Sequence, residues 1–198
     1  MNEISTQLMF ILDKSGSMCG LEHDTIGGFN ALLAKQKALD SACLLTTVLF
    51  SDSCEVLHQR VDIHQVEELT EETYQVGGST ALLDAIGRTL ASNVQQERTE
   101  KVLVVIITDG QENSSTEYSL AQVRRMIEKR QAEGGWEFLF LGAGLDVIAQ
   151  ASAIGIRTEQ TRSYTADSEG VEQNFSMLSE AVSSMRAERS QNSPRTLH

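Results

Sequence analysis

Apolar residues follow two rhythms along this chain. Some form continuous runs: "QLMFIL" (Gln7 to Leu12), "ACLLTTVLF" (Ala42 to Phe50), "KVLVVIITDG" (Lys101 to Gly110) and "WEFLFLG" (Trp136 to Gly142). A strand covered on both faces needs apolar side chains on both, so such runs predict buried strands. The run from Lys101 is the most strand-like, with Val and Ile crowded together. Elsewhere the apolar residues recur every three or four positions. Ile26, Phe29, Leu32 and Leu33 predict a helix from Leu21 to about Leu39. After the second run, "SDS" makes a tight turn and "CEVLHQRV" (Cys54 to Val61) returns as an antiparallel partner. A polar, acidic connection over Asp62 to Gln75 precedes a helix starting near Ala81. Further helices are expected over Ser119 to Ala132, Asp146 to Ala153 and Gly170 to Glu188, with a short strand around Ile156.

Strands alternating with helices imply a doubly wound α/β fold. The expected sheet is six-stranded and mostly parallel, with one antiparallel edge strand and helices on both faces. One domain over 1–189 accounts for the pattern, and 190–198 are expected to form a flexible tail. The single proline, Pro194, lies in that tail, so nothing punctuates the body with a linker.

The net charge of -12 excludes a nucleic-acid footprint, which needs a basic face. The one basic cluster, Arg124 to Arg130, reads as the solvated side of a helix. No apolar run is long enough to span a bilayer, and the first residues are too polar for a signal peptide. Cys19, Cys43 and Cys54 are odd in number and widely spaced, which suits reduced thiols and a cytoplasmic location.

Three strands end in oxygen-rich turns. "DKSGS" carries Asp13, Ser15 and Ser17; "GGST" ends in Thr80; "TDGQEN" carries Asp109. In doubly wound folds, sites gather at the carboxyl ends of strands. Brought together there, these residues offer two carboxylates and three hydroxyls, a donor set suited to Mg²⁺, Mn²⁺ or Ca²⁺ rather than zinc or copper.

These three loops, in this order and on these elements, resemble the metal-ion-dependent adhesion site of von Willebrand factor type A domains. The likeness runs from about Ile4 to Arg186. "DTIGGFNALLAKQK", "GSTALLDAIG" and "WEFLFLGA" are similar to small stand-alone bacterial members of that family. The resemblance implies that Ser15, Ser17 and Thr80 bind the metal through their hydroxyls. It also implies that Asp13 and Asp109 act at least partly through water, or exchange with Thr80 between states. Neutral hydroxyls leave the ion strongly electrophilic, so an Asp or Glu of a partner protein would complete its coordination. The expected function is therefore a cation-dependent protein-binding module and not an enzyme. The rival is a metal-dependent hydrolase or phosphoryl-transfer enzyme at the same site. Some bacterial relatives suggest an AAA-type ATPase as the partner.

Other signals have plainer readings. "LFLGAGLDV" places Gly142 and Gly144 between a strand and a helix, but Val147 stands where a dinucleotide fingerprint needs Gly or Ala, which favours a tight turn. A phosphatase-like reading of "LDKSGS" lacks its second Asp, since Ser15 stands there. His23, His58, His64 and His198 have no evident serine to serve and are expected to face solvent. Glu112 and Asn113 could tune the rim of the site or cap the following turn. Asp84 reads as a helix N-terminal charge. Gly27 and Gly28 inside a helix imply close packing on the sheet, and Cys19 is expected to be small and buried.

Overall fold

The computed structural model describes residues 6–93, 101–144 and 146–192, with side chains through Ala187. Its strands are β1 (Thr6–Asp13), β2 (Cys43–Phe50), β3 (Cys54–Asp62), β4 (Lys101–Thr108), β5 (Trp136–Ala143) and β6 (Thr161–Tyr164). Its helices are α1 (Glu22–Lys37), α2 (Leu82–Ser92), α3 (Leu120–Glu133), α4 (Val147–Ala153) and α5 (Ser168–Asn192). The six strands form one sheet in the order β3-β2-β1-β4-β5-β6, and β3 alone runs antiparallel to its neighbour. The fold is the doubly wound α/β architecture that the alternating pattern predicts.

Period-two side-chain alternation sorts the core into two layers. Leu8, Phe10 and Leu12 of β1, with Leu103, Val105 and Ile107 of β4, face α1 and α5. Met9 and Ile11, with Val102, Val104 and Ile106, face α2, α3 and α4. The Phe10 and Phe29 rings meet edge to face at 5.5 Å between centroids, a favoured aromatic arrangement. Every residue of β1 is buried, as its continuous apolar run requires.

α5 is locked to α1 by a buried cation. Arg186 is 1% exposed. It donates to the backbone O of Gln36 at 2.7 Å, to Gln36 Oε1 at 3.0 Å and to the backbone O of Ser41 at 2.7 Å. The Gln36 carbonyl belongs to the last turn of α1, where a cation is favoured by the helix dipole.

Several local expectations need correction. The sixth strand is Thr161–Tyr164, not a segment around Ile156. Ile156 is buried but lies in the connection, where a side chain packed under α4 gives a strand-like pattern without a ladder. α5 reaches Asn192, past the expected end at Glu188, so 190–192 are helical; 193–198 lie outside the described residues. Gly28 packs against the Phe175 ring of α5 rather than on the sheet, while Gly27 faces open space. His58 is buried on β3 opposite Thr47; burial pushes its pKa below the ordinary imidazole value. Cys19 is exposed rather than buried, because the turn it occupies lies outside the sheet. His198 lies outside the described residues.

Candidate metal centre

Chain order reverses between β1 and β4, which are neighbours in the sheet although β2 and β3 lie between them in sequence. Loops leaving these two strands must diverge, which opens a crevice at the carboxyl edge. β1 ends at Asp13 and β4 ends at Thr108, just before Asp109. The third loop is laced by backbone hydrogen bonds to the loop after β1 and to the β2–β3 turn. Gly16 N donates to Gly78 O at 3.0 Å, Gly77 N to Lys14 O at 2.8 Å, and Ala81 N to Ser51 O at 2.7 Å. Gly78 has φ 81°, a left-handed conformation that glycine adopts without strain.

All five expected residues come together here. Asp13, 1% exposed, accepts the Ser15 backbone N–H on Oδ1 at 2.7 Å and the Thr108 hydroxyl on Oδ2 at 2.5 Å. The Ser15 and Ser17 hydroxyls lie 3.1 Å apart, and Ser17 Oγ donates to Asp109 Oδ1 at 2.5 Å. Gly110 locates Thr80: a Cβ added there would sit 2.7 Å from Thr80 Oγ1 and 3.2 Å from Ser17 Oγ. Glycine thus leaves room beside both hydroxyls.

The electrostatics suit a cation. Burial pushes the Asp13 carboxyl above the usual carboxylate range, against the lowering pull of the Ser15 and Thr108 hydrogen bonds. Burial does the same at Asp109, opposed by Ser17 and reinforced by the negative charge of Asp13. Two desolvated carboxylates so close together are stabilised by a positive ion. Among the described residues, no group of three or more His, Cys, Asp or Glu side chains could hold a metal. The five-oxygen set, with its hydroxyls and the space left by Gly110, fits a hard divalent cation.

Two residues at the site escape a sequence reading. Thr108 holds the Asp13 carboxylate, and its signal was only a hydroxyl just before the acid. Tyr74 donates its hydroxyl to the Asp13 carbonyl at 2.5 Å; nothing in the local sequence marks it. Glu112 and Asp84 also have definite partners. Glu112 Oε1 accepts the Ser114 and Ser115 backbone N–H groups, and Oε2 accepts Leu83 N at 2.9 Å and Ser115 Oγ at 2.7 Å. Leu83 N is an unpaired donor in the first turn of α2, so Glu112 caps that helix. Asp84 is more than a helix charge: its carboxylate receives the backbone N–H groups of Thr116, Glu117 and Tyr118. At the other candidate loop, Gly144 has φ 98°, and a Cβ on Gly142 would sit 2.9 Å from the Val147 side chain. That is a tight turn closed by a valine.

No functionally curated protein matches the chain. Solved structures do. Proximal thread matrix protein 1 from the mussel byssus, with a zinc-occupied MIDAS motif, superposes with a TM-score of 0.66 at 16% identity, over 89% of this chain and 45% of that one. The manganese-loaded TRAP protein of Plasmodium vivax gives a TM-score of 0.61 at 19% identity, over 88% and 74%. The ArnB paralog VWA2 from Sulfolobus acidocaldarius gives 0.59 at 20% identity, over 91% and 45%. The chain spans about half the length of the mussel protein, and these likenesses establish the fold. The model of the family described as "VWA domain containing CoxE-like protein" matches residues 2–132. With that match over most of its length, on a von Willebrand factor A fold, the chain belongs to the VWA domain containing CoxE-like family.

Proposed function

We propose that this protein is a divalent-cation-dependent binding module that captures an Asp or Glu side chain of a partner protein. The observation that carries this reading is the convergence of Asp13, Ser15, Ser17, Thr80 and Asp109 around the space beside Gly110. Mg²⁺ is the proposed ion, with Mn²⁺ as a substitute; the zinc and manganese in two structural neighbours support divalent binding in this fold. The Ser15, Ser17 and Thr80 hydroxyls would hold the ion, with Asp13 and Asp109 balancing its charge from behind. When bound, the ion supplies an electrophilic centre that three neutral ligands leave short of negative charge. A partner carboxylate supplies both the missing oxygen and the missing charge.

Binding is preferred over catalysis because of Glu112. It is the acid that follows Asp109 in the same loop, and it holds its two oxygens against four donors of that loop and α2. A general base needs a free lone pair within reach of the reacting proton. A cytoplasmic location fits three unpaired thiols. Among the described residues, no helix is long and apolar enough to cross a membrane.

The test uses a displayed library of random peptides, selected on the immobilised protein in Mg²⁺ and eluted with EDTA. Enrichment of Asp- or Glu-bearing peptides, lost in Thr80→Ala, is the expected result. Metal-dependent turnover of phosphate esters or peptides, abolished in Glu112→Gln, would replace the binding module by a hydrolase.

A further inference from the structure

Thr80 is the one expected ligand contributed by its segment, so something must hold that segment against the loop carrying Asp109. Asn113 does so from both sides. Its side-chain Oδ1 accepts the Thr80 backbone N–H at 2.9 Å, and its own backbone N–H donates to the Thr80 carbonyl at 3.0 Å. The peptide groups before and after the Thr80 Cα are therefore tied to one residue, four positions beyond Asp109. We infer that Asn113 is a positioning residue for the metal centre, clasping Thr80 to the Asp109 loop so that the two ligands move as one body. The inference rests on the metal-binding reading above.

The clasp is the first of a series. Below it, Leu83 N donates to Glu112 Oε2 and Asp84 N to Ser115 Oγ at 3.1 Å. Arg88, also on α2, donates to Glu117. In the opposite direction, the N–H groups of Thr116, Glu117 and Tyr118 converge on the Asp84 carboxylate. Donors thus run both ways between α2 and the loop from Glu112 to Tyr118. The lower ties involve helix and loop backbone, and they fix the orientation of α2. Only the Asn113 pair acts on the ligand residue itself. Metal ligands are commonly oriented by residues that never touch the ion, and losing such a partner typically weakens binding about 10–100-fold.

Asn113 is exposed, so removing its side chain opens no core. In Asn113→Ala the backbone tie to the Thr80 carbonyl survives while the Thr80 N–H loses its acceptor. A double-mutant cycle separates positioning from a general effect on stability or charge. Mg²⁺ and Mn²⁺ affinities would be measured by calorimetry, well below the melting range, for wild type, Asn113→Ala, Thr80→Ala and the double variant. Ser114→Ala serves as control, since the Ser114 hydroxyl is buried without a hydrogen-bond partner. Asn113→Ala should bind about tenfold more weakly, speed hydrogen exchange at the Thr80 amide, and have no further effect once the Thr80 hydroxyl is gone. Ser114→Ala should match wild type. Unchanged affinity in Asn113→Ala, or an undiminished loss in the Thr80→Ala background, would overturn the positioning role while leaving the metal site standing. Failure of the wild type to bind either ion would instead overturn the metal reading, and the inference with it.

Discussion

Asp84→Asn should destabilise the fold by about 3 kcal/mol, and the geometry says why. Asp84 is 7% exposed. Its Oδ1 accepts the N–H groups of Glu117 and Tyr118 at 2.9 and 2.8 Å, and its Oδ2 accepts that of Thr116 at 2.9 Å. Asparagine keeps one acceptor oxygen, enough for the first pair. Its NH₂ group then points at the Thr116 N–H, donor against donor, and an orphaned buried donor costs about 1–3 kcal/mol. The two surviving bonds lose their charge assistance, which adds about 1 kcal/mol. For a chain of this size, the total corresponds to a melting temperature lower by about 6–12 °C. Thermal unfolding followed by circular dichroism in EDTA reads it without any contribution from metal. The pH dependence has a definite sign. Burial raises the Asp84 carboxyl, but its three backbone donors outweigh burial and hold it below the ordinary value of 3.8. A carboxyl depressed on folding stabilises above its unfolded pKa, and that stabilisation fades as pH falls through the folded value. The gap between wild type and variant should therefore be full at pH 7 and shrink below about pH 4. Melting temperatures within 2 °C of each other at pH 7, a difference of no more than about 0.5–1 kcal/mol by the same scaling, would refute the account; so would a gap undiminished at pH 3.

Two neighbouring glycines of α1 should respond oppositely to alanine. Gly27→Ala meets nothing within 4 Å and should stabilise the helix by up to about 1 kcal/mol, whereas Gly28→Ala places a Cβ 2.4 Å from the Phe175 ring and should destabilise by about 1–3 kcal/mol. Urea unfolding of both variants decides it, and a shared sign would contradict the α1–α5 packing. Gly110→Ala should abolish Mg²⁺ binding in calorimetry while the far-ultraviolet circular dichroism stays unchanged, because its Cβ would lie 2.7 Å from Thr80 Oγ1. Wild-type affinity in that variant would show that the space beside Gly110 is not where the ion sits.

Much of this was legible in the chain, and the limits have physical causes. Buried parallel strands demand apolar residues on both faces, so "LMFIL" and "VLVVII" declared themselves. The β6 strand did not, because Thr161–Tyr164 is a four-residue edge strand with two exposed positions, while nearby Ile156 shows burial without pairing. The convergence of Asp13, Ser15, Ser17, Thr80 and Asp109 was readable because each lies in an oxygen-rich turn at the end of a strand or the start of a helix. Tyr74 was not, and Asn113 was legible only as a residue near the rim, since both act through backbone groups of residues 61 and 33 positions away. Hydrogen bonding to a peptide group leaves no compositional trace. Gly27 and Gly28 look alike in sequence, and only the path of α5 separates them. His58 was misread because a lone imidazole on an edge strand can face either side.

The central place of β1 also bears on how the chain is made. β1 is flanked by β2 and β4, yet β4 begins only at Lys101. At a synthesis rate of about 5–20 residues per second, a finished β1 waits roughly 4–20 s for its second neighbour to be translated. Through that interval "LMFIL" is five consecutive apolar residues without charge or proline, the composition of an aggregation-prone segment. Asp13 and Lys14 follow it immediately, as charged gatekeepers commonly do. The acid at the heart of the site is therefore also the first charge beside the nascent strand, before there is any site to serve. Replacing it with alanine removes a buried carboxylate from the finished protein and a charge from the flank of the unfinished strand.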